Sequence, residues 1–337
     1  MGSKPKKNIT ISDIADQANV SQATVSRVIN GTAKVSEEKK TAILAAMKEM
    51  NFEPNVFAQG LASGSSKTIG VLTQNIGSPI YDAISQGVLA HLTPSSYSPL
   101  FADGQWKSDV SKAAVQTLIG RKVDGLIAIG DVLSREDIDK IGEQLPIVIA
   151  GWEVKNWEKQ CLFIDNEKAG YDATKHLLDL GHRKIAHIAG IDDHQDAVLR
   201  LAGYERALTE AGVQIDRDLI FPGNFDGNSG VMAVESFLTK SKSFSAIFAA
   251  NDMMAFGAIL ALSRRGFRVP EDISIIGFDD QDESSFTNPP LTTVRQPGRE
   301  LGTAAASVLL KLIHEEEFEV PDFETEIIVR DSTRVRS

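Results

Sequence analysis

The chain has 337 residues, more than one domain ordinarily holds, and its 42% hydrophobic and 24% charged residues are the balance of a soluble globular protein of two or three units. It contains no run of about 18 apolar residues to span a membrane. The short basic start is not followed by the apolar stretch of a signal peptide, and the single cysteine, Cys161, excludes a disulfide framework or a cysteine-rich metal site, so the expected location is the cytoplasm.

The net charge of −11 is unevenly divided. Residues 1–66 carry eight Lys/Arg against six Asp/Glu, while the remainder carries 27 against 40. Phosphate affinity is thereby confined to the N-terminal part, and the acidic remainder repels a polyanion.

In chain order, Ile11, Ile14, Ala15 and Ala18 recur at helical spacing, with Ser12 or Thr10 as N-cap and Asp13 in the first turn. Asn19 breaks this helix, and Val20-Ser21 supplies a turn and a new cap. A second short helix is expected over Gln22–Ile29, ending at Asn30-Gly31. A third runs from Ser36 to about Met50, burying Ile43, Leu44 and Met47. Three short helices, the first two joined tightly, match a helix-turn-helix unit. On the second helix Val25, Val28 and Ile29 face inward, leaving Gln22, Ala23, Thr24, Ser26 and Arg27 outward. Amides, hydroxyls and one Arg suit base edges; a merely solvated helix more often carries Glu/Lys pairs.

The run Ile14-Ala-x-x-Ala-x-Val-Ser21-x-Ala-Thr-Val-Ser-Arg-Val-Ile-Asn-Gly31 resembles the head signature of the LacI/GalR family of bacterial transcription regulators. The resemblance implies that Gln22, Ala23 and Arg27 read the major groove while Ser21, Thr24, Ser26 and Asn30 mostly hold phosphates. It also implies a hinge helix over Asn55–Ala62, folding on operator DNA, with Leu61 wedged into a minor-groove step. From the residues alone, Pro54 stops the third helix and the Gly/Ser-rich stretch is a linker; so short a helix does not persist alone in water. Gln59 stands where the family usually has Arg, and Gly60 further lowers helicity.

From Lys67 onward, short apolar strands alternate with amphipathic helices. Strands are expected at 68–73, 98–102, 123–129, 146–150, 162–164, 184–188, 219–222, 246–249, 273–277, 292–294 and 326–329. Continuous Val/Ile/Leu runs between helices imply parallel strands covered on both faces. Val123–Ile129 and Ser245–Asn251 read as equivalent strands of two halves. The expected fold is an N-terminal all-α helix-turn-helix head plus an α/β body of two doubly wound parallel-sheet subdomains, similar to periplasmic binding proteins. The divisions are a DNA-binding domain at 1–54, a hinge at 55–66 and an effector-binding and dimerisation body at 67–337. The resemblance implies crossings near Asp165, near Arg295 and near 320–326. These give an N-subdomain of 67–164 with 295–322 and a C-subdomain of 165–294 with 323–337.

No GxGxxG precedes a helix, no phosphate-loop motif occurs, and the six histidines form no HExxH or Ser/His/Asp constellation, which argues against an enzyme. Ligands of such sheets bind beyond the strands' carboxyl ends. Candidates there are Arg200, Asn251-Asp252 and Asp279, with Phe225 and Trp152 as flat faces. Each has a plainer reading: a structural salt bridge for Arg200, helix capping for Asn251-Asp252, core packing for the aromatics. The resemblance places Arg200, Asp279, Phe225 and Asn251 around an effector, and adds Asp165, Trp152, Asp193 and the loop 74–81 with Tyr81. Arg, carboxylates, amides and aromatics are the chemistry of carbohydrate binding, so a mono- or disaccharide effector is expected, with a nucleobase or nucleoside as the alternative. No cofactor or metal is expected. One short helix reads too few bases, so paired heads on a pseudo-palindromic operator require a homodimer. The sequence stops at 329–337 after the last strand, without the leucine-heptad tail of tetrameric relatives.

Overall fold

The computed structural model describes residues 9–30, 34–52, 64–240 and 243–336. The chain divides into two compact units, residues 1–68 with 122–124, and the remainder. Among the described residues no helix is long and apolar enough to cross a membrane.

The first unit contains α1 (Ile11–Gln17), α2 (Gln22–Asn30) and α3 (Glu37–Glu49). Thr10, not Ser12, caps α1: its hydroxyl takes the Asp13 N–H, while the Asp13 carboxylate takes the Thr10 N–H at 2.9 Å. The turn to α2 works because Asn19 adopts φ 51°, a left-handed position that Asn tolerates. The Val20 and Asn19 amides thereby return to the Ala15 and Asp16 carbonyls at 2.9 and 3.2 Å, closing the helix end. Ile14, Ala15, Val25, Ile43 and Ala46 form the small core. Leu44, expected inside, is 50% exposed; α3 turns Ala46 inward instead.

In the second unit a five-stranded sheet has the order β2-β1-β3-β4-β5, built from β1 (Thr68–Thr73), β2 (Ser98–Asp103), β3 (Gly125–Ile129), β4 (Ile147–Ala150) and β5 (Cys161–Leu162). The other sheet contains β6 (Ile185–Ala189), β7 (Ile220–Pro222), β8 (Ala246–Ala249), β9 (Ser274–Asp279), β10 (Thr292–Arg295) and β11 (Glu326–Ile328), in the order β11-β10-β9-β8-β6-β7. Counted from its opposite edge, β7-β6-β8-β9-β10 repeats the first sheet strand for strand. β11 adds an antiparallel edge to β10. In both sheets the order reverses beside the first strand of the half, and crevices form at such points.

Helices cover these sheets: α4 (Pro79–Leu92), α5 (Ser108–Gly120) and α6 (Arg135–Gly142) in the first half, then α7 (Asn166–Asp179), α8 (Gln195–Glu210), α9 (Gly227–Thr239) and α10 (Asp252–Arg264). α11 (Gly298–Ile313) returns to the first sheet, burying Leu301, Ala305, Val308 and Leu309 against its strands. The chain therefore passes between the sheets after β5, after β10 and before β11. The second sheet's two faces carry separate cores, one around Phe237 and Met254, the other around Tyr204 and Phe278. α7 and α8 cross at Gly170 and Gly203, where a Cβ on Gly203 would stand 2.1 Å from the Glu167 carbonyl oxygen. That close crossing sets α8, and the side chains it carries, against α7.

Candidate nucleic-acid interface and ligand cleft

On α2 the side chains of Ser21, Gln22, Ala23 and Arg27 are exposed and those of Thr24 and Ser26 half-buried, while Val25 is fully buried. The Ser21 hydroxyl takes the Thr24 N–H at 3.2 Å and lies 2.9 Å from the Thr24 hydroxyl, so Ser21 caps the helix. Gln22 donates to the Ser12 hydroxyl at 2.9 Å, which orients its amide. Successive turns thus present Gln22 with Ser26 and Ala23 with Arg27 on one outer face. Asn30 is the last residue of α2. Leu61 and Gln59-Gly60 lie outside the described residues, as does most of the hinge expected at 55–66.

In the second unit a cleft of about 570 Å³ lies between the subdomains, within the range of small-molecule sites. One wall holds Asn75, Tyr81 and Trp106; the other holds His194, Asp196, Arg200, Asn224, Phe225, Asn251, Asp279 and Gln281. Arg200 is 3% exposed, and its guanidinium is satisfied in several directions at once. Nε donates to Asn166 Oδ1 at 2.9 Å and a terminal nitrogen to the Ala250 carbonyl at 2.7 Å. Asp196 Oδ2 stands at 3.7 Å, and the Phe278 ring lies 3.7 Å beneath the guanidinium carbon. Asn166 also donates to Asp196 Oδ1 at 3.0 Å, closing a network around the buried charge.

Asp279 ends β9 with φ 117°, followed by Asp280 at 54°, two strained positions that the surroundings hold. Asp280 pairs with Arg295 at 2.7 Å and Arg330 at 2.6 Å, and the Gln281 N–H is taken by Asp252 at 2.9 Å. Asp279 is thereby turned to the cleft, accepting from Gln296 at 2.6 Å. Burial pushes its carboxyl up to about 6, against the opposing pull of Arg200, and burial also raises Asp196 and Tyr81. Phe225, with φ 65°, lays its ring on Gly190, where any Cβ would stand 2.1 Å from the ring edge. Asn251 caps α10 through Oδ1 to the Met254 N–H at 2.9 Å and donates through Nδ2 to the Phe225 carbonyl at 2.9 Å. It therefore braces the Phe225 loop while serving as a cap.

The structure brings Arg200, Asp279, Phe225, Asn251 and Tyr81 to this cleft and keeps four other expected residues away. Asp252 is fully buried behind it, accepting from Thr293 at 2.6 Å, Ser284 at 2.7 Å and the Gln281 amide; it is scaffold for the Asp279 turn. Trp152 is 6% exposed and does not line the cleft, because Gly151 at φ 111° turns the chain after β4. Asp165 is exposed and spends its carboxylate on capping α7, taking the Lys168 N–H at 2.8 Å. Asp193 is exposed outside the lining.

Three further cleft residues, Trp106, His194 and Asp196, were not among the expected effector contacts. Trp106 reaches it through a tight turn in which Gln105 and Trp106 are both left-handed, at φ 53° and 58°. Asp103 holds that turn by accepting the Gln105 and Ile76 amides at 2.8 and 3.0 Å. His194 lies edge-on between Trp106 and Phe225, with ring centroids 4.8 and 5.4 Å away. Asp196 follows one turn before Arg200 on the same helix. Among the described lining residues Arg200 is the one Lys or Arg, in company with four carboxylates, Asp196, Asp226, Asp279 and Glu283. Among the described residues no cluster of His, Cys, Asp or Glu is arranged to hold a metal ion.

Comparison with known proteins covers both units. The profile of bacterial regulatory proteins, lacI family, matches residues 10–55, and that of a periplasmic binding protein-like domain matches residues 174–333. The HTH-type transcriptional repressor PurR of Pasteurella multocida (strain Pm70) is 34% identical over 331 residues, 97% of this chain and 99% of that one. The crystal structure of the lac repressor dimer bound to operator and the anti-inducer ONPF superposes with a TM-score of 0.88 at 30% identity, covering 97% of this chain and 100% of that one. The transcriptional regulator CelR in complex with cellobiose gives a TM-score of 0.71 at 33% identity, covering 96% and 99%.

Proposed function

Because this chain belongs to the lacI family of bacterial regulatory proteins, and is thus a DNA-binding transcriptional repressor with an effector ligand, we propose that its effector is an uncharged mono- or disaccharide. The observation that carries this reading is the charge of the cleft. A phosphorylated or otherwise anionic ligand would meet four carboxylates, and the lone guanidinium is already engaged by Asn166, Ala250 and Asp196. Carboxylates and amides accept and donate well to vicinal hydroxyls, and the Trp106 and Phe225 rings offer cover for apolar C–H faces. The CelR–cellobiose complex is a relative of known sugar content.

A nucleobase effector is the second reading. It is favoured by the PurR relatives and by the same flat rings, which would also stack on a base. A thermal-shift screen of the purified chain against neutral mono- and disaccharides, sugar phosphates, purine bases and nucleosides separates the two. Stabilisation by a neutral sugar and none by its phosphate is the expected result; stabilisation by purines alone overturns the sugar reading.

For the DNA side, the reading is that Gln22, Ala23 and Arg27 meet base edges and that Ser21, Thr24, Ser26 and Asn30 hold phosphates. The head ends near residue 54, Leu61 within 55–66 wedges the minor groove, and the body begins at 67. Homodimerisation is supported by exposed apolar residues of this half, Leu260 on α10, Phe267 just past the end of that helix, and Phe286 at 87% exposure. Sedimentation of the full chain at micromolar concentration is expected to show a dimer.

A further inference from the structure

Helix α8 begins at Gln195, and His194, the residue before it, makes no side-chain cap to the helix. Other helices of this half are capped from within: Asp165, Asp226 and Asn251 take amides of α7, α9 and α10. For α8 the cap comes from the opposite subdomain. Asp131, on the loop after β3, accepts the Gln195 N–H through Oδ2 at 2.7 Å. Its other oxygen faces His194 Nε2 at 3.4 Å, and the Tyr81 hydroxyl of α4 lies 3.4 Å from that same nitrogen. Trp106, also of the first subdomain, meets the His194 ring edge-on at 4.8 Å. These contacts all join the first subdomain to the two residues that start α8.

A cap supplied in this way is conditional on the spacing of the cleft. Parting the subdomains would leave the Gln195 amide without its acceptor and withdraw a negative charge from the positive end of a 16-residue helix. The same helix carries Asp196 in its first turn and Arg200 one turn later. We propose that Asp131 is a positioning residue that caps α8 across the cleft, so that the presentation of Asp196 and Arg200 depends on subdomain closure. The strap stands on this geometry alone; its consequence for an effector rests on the sugar reading above.

Hydrogen exchange of the effector-free full chain tests the strap without any ligand. In Asp131→Ala, the Gln195 amide is expected to exchange about tenfold faster, the scale of losing one N-cap. Asp131→Asn keeps a neutral acceptor of the same shape and is expected to fall between. Amides of α9 and α10 are expected to be unchanged in both. Wild-type exchange at Gln195 in the folded Asp131→Ala protein would overturn the proposal. If that variant fails to fold, wild-type exchange at Gln195 in Asp131→Asn would do so. Failure of the sugar reading would appear separately, as the lack of any thermal shift, and leaves this exchange untouched.

Discussion

Arg200 and Asp252 are both buried ionic groups, yet they act in opposite ways. Arg200 keeps its charge because Asn166, Ala250, Asp196 and the Phe278 face surround it, and it lines the cleft with its guanidinium held in that network. Lysine in its place would keep a charge but lose the paired geometry, so Arg200→Lys should weaken effector binding by about tenfold or more in calorimetry, the scale of a charged hydrogen bond. Asp252 is held away from any ligand, and burial pushes its carboxyl up to about 7 from an ordinary 3.8. The folded state therefore binds a proton that the unfolded chain has released. That contribution to stability is complete below about pH 4 and is lost as pH rises through about 7. Urea midpoints should fall across this window in the wild type and fall less in Asp252→Asn; identical slopes would refute the assignment. Both residues were visible in the sequence, Arg200 as a charge on an otherwise apolar helix and Asp252 as a polar group where a strand ends and a helix begins. Only the register of β10, which sets Thr293 against Asp252, tells the scaffold carboxylate from the one at Asp279. Trp106 was not legible at all, since its approach depends on two consecutive left-handed residues that are not glycine.

At the level of elements, all eleven expected strands are present in order, because continuous apolar runs broken by turn residues are a strong local signal. The repeat of strand order between the halves was visible in the likeness of Val123–Ile129 to Ser245–Asn251, which are β3 and β8 with their flanks. What local pattern did not carry was facing. Leu44, expected inside, faces solvent, and Trp152, for which a ligand face and core packing were both open, faces the interior. Helix spacing is likewise a tertiary property. Gly203 permits the α7–α8 crossing, and an added Cβ would press on the Glu167 backbone at 2.1 Å. Gly203→Ala should cost about 1–3 kcal/mol in urea unfolding. Gly120→Ala, at the end of α5 with nothing within 4 Å, should be neutral or slightly stabilising. Equal effects of the two would contradict the close-packing explanation.

Across the whole molecule, two different kinds of surface share one chain. The head offers amides, hydroxyls and Arg27 from a helix fixed by the Ser21 cap, whereas the cleft offers carboxylates, amides and rings. The charge division seen in the sequence fits this split: the acidic body would not hold DNA, and the cleft would not hold an anion. Ligand control in such a protein requires that a ligand bind the two body conformations with different affinity. The most direct measurement is fluorescence anisotropy on a palindromic operator selected from random DNA. Wild type and Arg200→Ala would be titrated with and without the neutral sugar that gives the largest thermal shift. The expected result is an operator affinity that the sugar changes at least about tenfold in the wild type, a coupling of about 1.4 kcal/mol, and leaves unchanged in Arg200→Ala, which still binds the operator. Operator affinity indifferent to every neutral sugar, but shifted by a purine base, would contradict it.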